Sequence, residues 1–108
     1  MSRLEVTALP EDPVAASAAF YRDWLERAEA ALRQGDLLLV FDPADHTHRG
    51  WRGAVVAALA RKHVPSRVNS VASDDIEAIA AAERYFAAAP GVTGQSFALD
   101  SMGAGDVA

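Results

Sequence analysis

Five consecutive apolar residues, Leu37 to Phe41, stand between Asp36 and Asp42-Pro43. This run constrains the fold more than any other segment. It is too short for a helix and has no polar residue at any spacing. Successive side chains of a strand point to opposite faces, so an unbroken apolar run is typical of a strand covered on both sides. Such strands belong to sheets layered with helices, which makes the flanking segments informative.

Strand and helix signals alternate on either side. Arg3 to Leu9 alternates polar and apolar residues with period two, the pattern of a half-buried strand. Asp12-Pro13 opens a helix, with Asp12 as cap and Pro13 at the first helical position. Good helix formers run on to Gln34, and Gly35 fits the stop. A second helix is expected from near Thr47 to just before Pro65, then a strand from Arg67 to Val71. Asp74, with Glu77 three residues later, resembles a capping box opening a third helix, which reaches about Ala89 before Pro90-Gly91 breaks it. Gln95 to Asp100 reads as the last strand, and Ser101 to Ala108 as a loose tail. The expected fold is α/β: four parallel strands in sequential order, joined by three helices through right-handed crossovers, in one domain.

Composition excludes several functions. A net charge of -5 argues against nucleic acid or an anionic membrane as partner, because both need clustered Lys and Arg. With no cysteine there is no disulfide, catalytic thiolate or Cys-ligated zinc. The first residues, MSRLEVTALPEDP, contain no apolar signal core, and no apolar run approaches membrane-spanning length. The expected setting is the cytoplasm.

Two segments carry a family resemblance. Ala58-Leu59-Ala60-Arg61 leads into Arg67-Val68-Asn69-Ser70-Val71, and Val92-Thr93-Gly94-Gln95 leads into Phe97-Ala98-Leu99-Asp100. Together they resemble the C-terminal half of a short-chain dehydrogenase/reductase, where an "ALAR" helix runs into an "RVNSV" strand and a "VTGQ" turn precedes the strand that closes the sheet. The resemblance implies a Rossmann-like half domain. It also implies association, because the family's two corresponding helices build a four-helix contact between subunits.

The helices themselves fit that implication. Val14, Ala18, Tyr21, Leu25, Ala28 and Leu32 recur at steps of three and four, and Phe20, Trp24 and Ala31 form a second apolar stripe beside them. One stripe suffices to cover a sheet, so the other is either a wide buried face or a subunit contact. In the next helix Gly50, Gly53, Ala54 and Ala57 offer a small-residue surface, with Trp51, Val55 and Leu59 as bulk. Two helical glycines cost about 1 kcal/mol each relative to alanine, and close approach of another helix would justify them. The expected contact residues are Phe20, Tyr21, Trp24, Trp51, Gly53 and Ala57. The expected partners are a second copy, in a dimer or tetramer, or a full-length short-chain dehydrogenase.

The family's chemistry has no visible counterpart. A pyrophosphate site needs a glycine-rich turn between strand and helix, but Leu9-Pro10-Glu11-Asp12-Pro13 has no glycine and two acids. Gly91-x-x-Gly94 precedes a strand and Gly103-x-Gly105 lies in the tail, so neither opens a helix. The family's spacing from Ala60 puts Asp45 at the catalytic Tyr position and Arg49 at the Lys position, Asp42-Pro43 stands where the Ser is expected, and the helical Asn has no counterpart. Strands in sequential order also lack the reversal at which open sheets bind ligands.

One loop invites a different reading. Asp42, Asp45, His46, His48 and Arg49 follow the end of a strand and could supply metal ligands or a general base. As turn, cap and solvated residues they need no ligand, and that reading is preferred. Ser73-Asp74-Asp75 with Glu77 is similarly read as helix capping. The sequence therefore points to a non-catalytic assembly or regulatory module with no catalytic residue, cofactor or metal. A small-molecule or nucleotide binder with a cleft rebuilt between subunits comes second, and a metal-assisted enzyme using the Asp42–Arg49 loop third.

Overall fold

A computed structural model describes residues 1–99 and 105–107 of the 108. The elements are β1 (Ser2–Val6), α1 (Pro13–Asp23), α2 (Leu25–Gln34), β2 (Leu37–Phe41), a 3-10 turn (His46–His48), α3 (Arg49–Lys62), β3 (Val68–Ala72), α4 (Ile76–Ala87), β4 (Ser96–Leu99) and β5 (Gly105–Val107). The sheet order is β1-β2-β3-β4-β5. The first four strands are parallel, in the sequential order expected. Gly105–Val107 pairs antiparallel with β4, where the sequence suggested a loose tail. The end of the expected last strand at Asp100, and 101–104 and 108 of the tail, lie outside the described residues.

β2 is an interior strand, between β1 and β3, and all five of its residues are buried. Leu37, Leu39 and Phe41 join Val6, Phe20, Ala28, Leu32, Val55, Val56, Leu59 and Val68 in a core beneath α1, α2 and α3. Leu38 and Val40 point the other way, into a second core with Val71, Ile79, Phe86, Phe97 and Leu99 beneath α4. This corrects the expectation of uniformly right-handed crossovers. Strands advancing in one direction keep helices of one hand on one face. Here α4 crosses on the face opposite α1–α3, so β3–α4–β4 has the opposite hand to the connections before it. The physical reason is coverage, because without α4 the Leu38, Val40, Val71 and Phe97 face would meet water.

The first expected helix is two helices. At about 100° per residue, Ala16 and Leu32 on one straight helix would point about 160° apart. Both are nevertheless buried. Trp24, at φ -122° and ψ -26°, breaks the helix and brings both segments back onto the sheet. The stripes therefore exchange roles along the chain. α1 buries Ala16, Ala19 and Phe20, while Val14 and Tyr21 are 79% and 49% exposed; α2 buries Ala28 and Leu32.

Smaller boundaries shift too. β1 ends at Val6 and not Leu9, because Ala8 takes a positive φ of 60° that turns the chain out of the sheet. α4 is capped by Asp75, not Asp74, with its carboxylate accepting from the Glu77 and Ala78 N–H groups, and it ends at Ala87.

Candidate functional site

The two segments behind the family resemblance turn out to stitch the sheet together. Asn69 in β3 donates from Nδ2 to the Val92 carbonyl and accepts from the Gln95 N–H at Oδ1, at 3.1 and 3.0 Å. Thr93 Oγ1 accepts from the Val68 N–H, and Gly94 donates its N–H to the Val68 carbonyl. Gly94 sits at φ 77°, where a side chain would be strained. Ser70 and Ser96 bond across β3 and β4 at 2.9 Å, both buried. These polar residues fix the α4–β4 turn and the pairing of β3 with β4.

The carboxyl ends of β1 and β2 open instead into a cavity of about 610 Å³, the usual size of a small-ligand pocket. It is lined by the turn after β1, including Glu11 and Asp12, and the loop after β2, including Asp42, Asp45 and His48, with Arg52 from α3. Of the loop residues singled out from sequence, it brings together Asp42, Asp45 and His48. Arg49 is exposed and borders a smaller cavity of about 50 Å³, while His46 is exposed and lines neither.

Most of these side chains already have partners. Asp12 caps α1, accepting from the Ala15 N–H at 2.8 Å. Asp45 accepts from the Thr47 N–H at 2.9 Å and also from the Thr47 hydroxyl. These two bonds, the hydroxyl's the stronger, hold the Asp45 carboxyl below its ordinary range. His48 is buried at 6% exposure and uses both nitrogens. An indole N–H can only donate and a carbonyl can only accept. The 3.0 Å bond from Trp51 Nε1 therefore fixes Nδ1 as acceptor, and the 2.8 Å contact with the Glu11 carbonyl fixes Nε2 as donor. No metal could take His48 without breaking one of these bonds. Among the described residues, no cluster of three or more His, Asp or Glu could hold a metal ion.

Arg52, from α3, was not among the residues that the sequence pattern singled out. It is 7% exposed, its guanidinium lies 4.6 Å from the Phe41 ring centre, and Nη1 donates to the Asp42 carbonyl at 3.1 Å. Burial, only partly opposed by the nearby Asp42 charge, pulls its pKa below the arginine norm. A signal was present: His48, Arg52, Val55, Val56 and Leu59 share one helical face, so a cation occupied the buried stripe.

The six expected contact residues fall into three groups by burial. Phe20 is fully buried among Phe41 and Trp51, and is corrected to a core residue. Tyr21 is exposed, whereas Trp24, Trp51, Gly53 and Ala57 are half-buried. The outward side of α1 and α3 carries Val14, Ala18, Tyr21, Ala54 and Ala58, all exposed. Grooves of about 400 and 160 Å³ flank it. A Cβ placed on Gly50 or Gly53 would meet nothing within 4 Å, so nothing within the described chain requires those glycines. No described helix is long and apolar enough to cross a membrane.

A family model described as "Short chain dehydrogenase-like protein" matches residues 4–99. No curated protein and no solved structure matches the chain. The turn after β1 does not fit the pyrophosphate of a dinucleotide: two prolines and a positive-φ alanine occupy it, and the Asp12 carboxylate already sits on the α1 N-terminus.

Proposed function

The chain belongs to the short chain dehydrogenase-like family, and from that premise we propose that it is a non-catalytic assembly module which associates through α1 and α3. The observation behind this reading is the outward α1–α3 face, which joins exposed Val14, Ala18, Tyr21, Ala54 and Ala58 to two glycines with no packing role inside the described chain. In the dehydrogenases that this chain resembles, the corresponding helices form a four-helix contact between subunits. A second copy of the chain is the first partner to test, since most soluble oligomers are symmetric homomers.

Loss of catalysis is the other half of the proposal. Asp45 and Arg49 stand at the family's Tyr and Lys positions, and neither can act as the phenol with its lysine. Asp45 is moreover committed to Thr47. A regulatory role would follow from the same face docking onto a complete dehydrogenase, in place of a second copy.

Light scattering coupled to size exclusion tests the association. A dimer is expected, with Tyr21→Glu and Ala58→Glu shifting it to monomer while leaving the circular dichroism unchanged. A wild-type monomer that also fails to co-purify with a complete short-chain dehydrogenase would overturn the assembly reading. Saturable thermal stabilisation by NADH or NADPH would contradict the non-catalytic half.

A further inference from the structure

Arg52 brings into the cavity at the ends of β1 and β2 a positive charge that the described residues do not pair. Their ion pairs involve Arg3, Arg22, Lys62, His63 and Arg67, but not Arg52. At 7% exposure, its Nε has no acceptor among the described residues, and its one hydrogen bond goes to a neutral carbonyl. Stacking on Phe41 and Trp51 offsets part of the lost hydration. A guanidinium presents five donors in a planar fork suited to a carboxylate.

The rim of the same cavity has the opposite sign. Glu11, Asp12, Asp42 and Asp45 all line it. Asp12 and Asp45 use their carboxylates as helix and turn caps. Glu11 and Asp42 bond only through their main-chain carbonyls, to His48 and Arg52, leaving both carboxylates uncommitted among the described residues. A simple anion such as phosphate would be repelled at the rim, and a simple cation would be repelled by Arg52. The geometry points to a binding site for a compact zwitterion, its carboxylate on Arg52 and its ammonium at Glu11 and Asp42. The cavity of about 610 Å³ has room for such a molecule with accompanying water. This inference goes beyond the assembly role and needs no second subunit.

The test is to titrate the full chain with 4-aminobutyrate and β-alanine, and with the half-molecules butyrate and butylamine, while following the arginine Nε–H signals by NMR. The Arg52 signal can be assigned through its own backbone, so no variant is needed for that step. The expected result is a saturable shift of this signal by a zwitterion at least about tenfold more tightly than by either half-molecule. Asp42→Asn and Glu11→Gln should each weaken the zwitterion toward the affinity of butyrate while preserving the amide spectrum. The site is overturned if no probe moves the signal at millimolar concentration. Equal binding by butyrate or butylamine alone, or unchanged affinity in both variants, would overturn it equally.

Discussion

At the residue scale, His48 shows how one buried imidazole fastens two segments distant in sequence. Its Nε2–H holds the Glu11 carbonyl ahead of α1, and its Nδ1 receives the Trp51 indole N–H from α3. Replacing Trp51 with Phe keeps an aromatic ring against Phe20 and Phe41 but leaves a buried nitrogen without a donor. The cost of such an orphaned acceptor is about 1–3 kcal/mol. Trp51→Phe should lower the urea midpoint accordingly, and an unchanged midpoint would show that water replaces the indole at no cost. Arg52, one residue further on, is the counterpart case: its Nε is the buried side-chain nitrogen with no partner among the described residues.

Among the elements, α3 is the one whose sequence and packing disagree most. Gly50 and Gly53 lower its intrinsic helicity, and neither has a neighbour that a methyl group would displace. In an isolated chain Gly53→Ala should therefore stabilise by about 1 kcal/mol, the helix propensity difference. If another helix packs there, the same substitution should weaken self-association. Measuring unfolding at low concentration and dimerisation on the same variant separates the two effects. A variant no more stable than wild type would mean that Gly53 is held by a contact the described chain does not show. The α1–α2 break makes the opposite point. There the intrinsic propensity is uniformly helical, yet the chain bends at Trp24 because a straight helix cannot keep Ala16 and Leu32 on one face.

Across the whole molecule, one ion pair ties α4 to the start of β1 and β3. The Asp36 carboxylate, ahead of β2, accepts from the Arg67 backbone N–H at 2.7 Å and from its Nη2 at 2.7 Å. Arg67 Nη1 also reaches the Phe86 and Ala89 carbonyls at the end of α4, and the Asp36 carbonyl accepts the Ser2 N–H that begins β1. Burial pushes the Asp36 carboxyl up, but the Arg67 bonds together outweigh it and leave it below the ordinary Asp value. A group depressed in the folded state adds stability above its unfolded pKa, and that stability is lost as pH falls through the folded value. Stability should therefore decline below about pH 4. Asp36→Asn should cost about 1.5–3 kcal/mol at neutral pH, the worth of hydrogen bonds to a charged group, and should flatten the acid limb. An acid limb as steep as wild type would assign the pH dependence to other carboxylates, such as Glu29 beside Lys62 and His63.

The alternation of four parallel strands with helices was legible in the sequence, though not the α1–α2 break or β5, because hydrophobic period, caps and breakers are local properties of the chain. Asp12-Pro13, Gly35 and Pro90-Gly91 mark ends that depend on neighbours within a few residues. Leu37 to Phe41 went further: an apolar residue at every position demands cover on both faces, which uniformly right-handed crossovers in sequential order cannot provide. The tertiary structure decided how that conflict ends, by sending α4 across the opposite face to bury Leu38 and Val40. It also decided which of two apolar stripes α1 buries, placing Phe20 inside and Tyr21 outside, since the bend at Trp24 resets the helical phase. The candidate site divides the same way. Its acids and His48 were visible as a loop, but that His48 is spent on Trp51 and Glu11, while Arg52 has no ion-pair partner among the described residues, depends on contacts between α3 and the turns after β1 and β2. Local chemistry selects the elements; burial, which is collective, selects which side chains remain free to act.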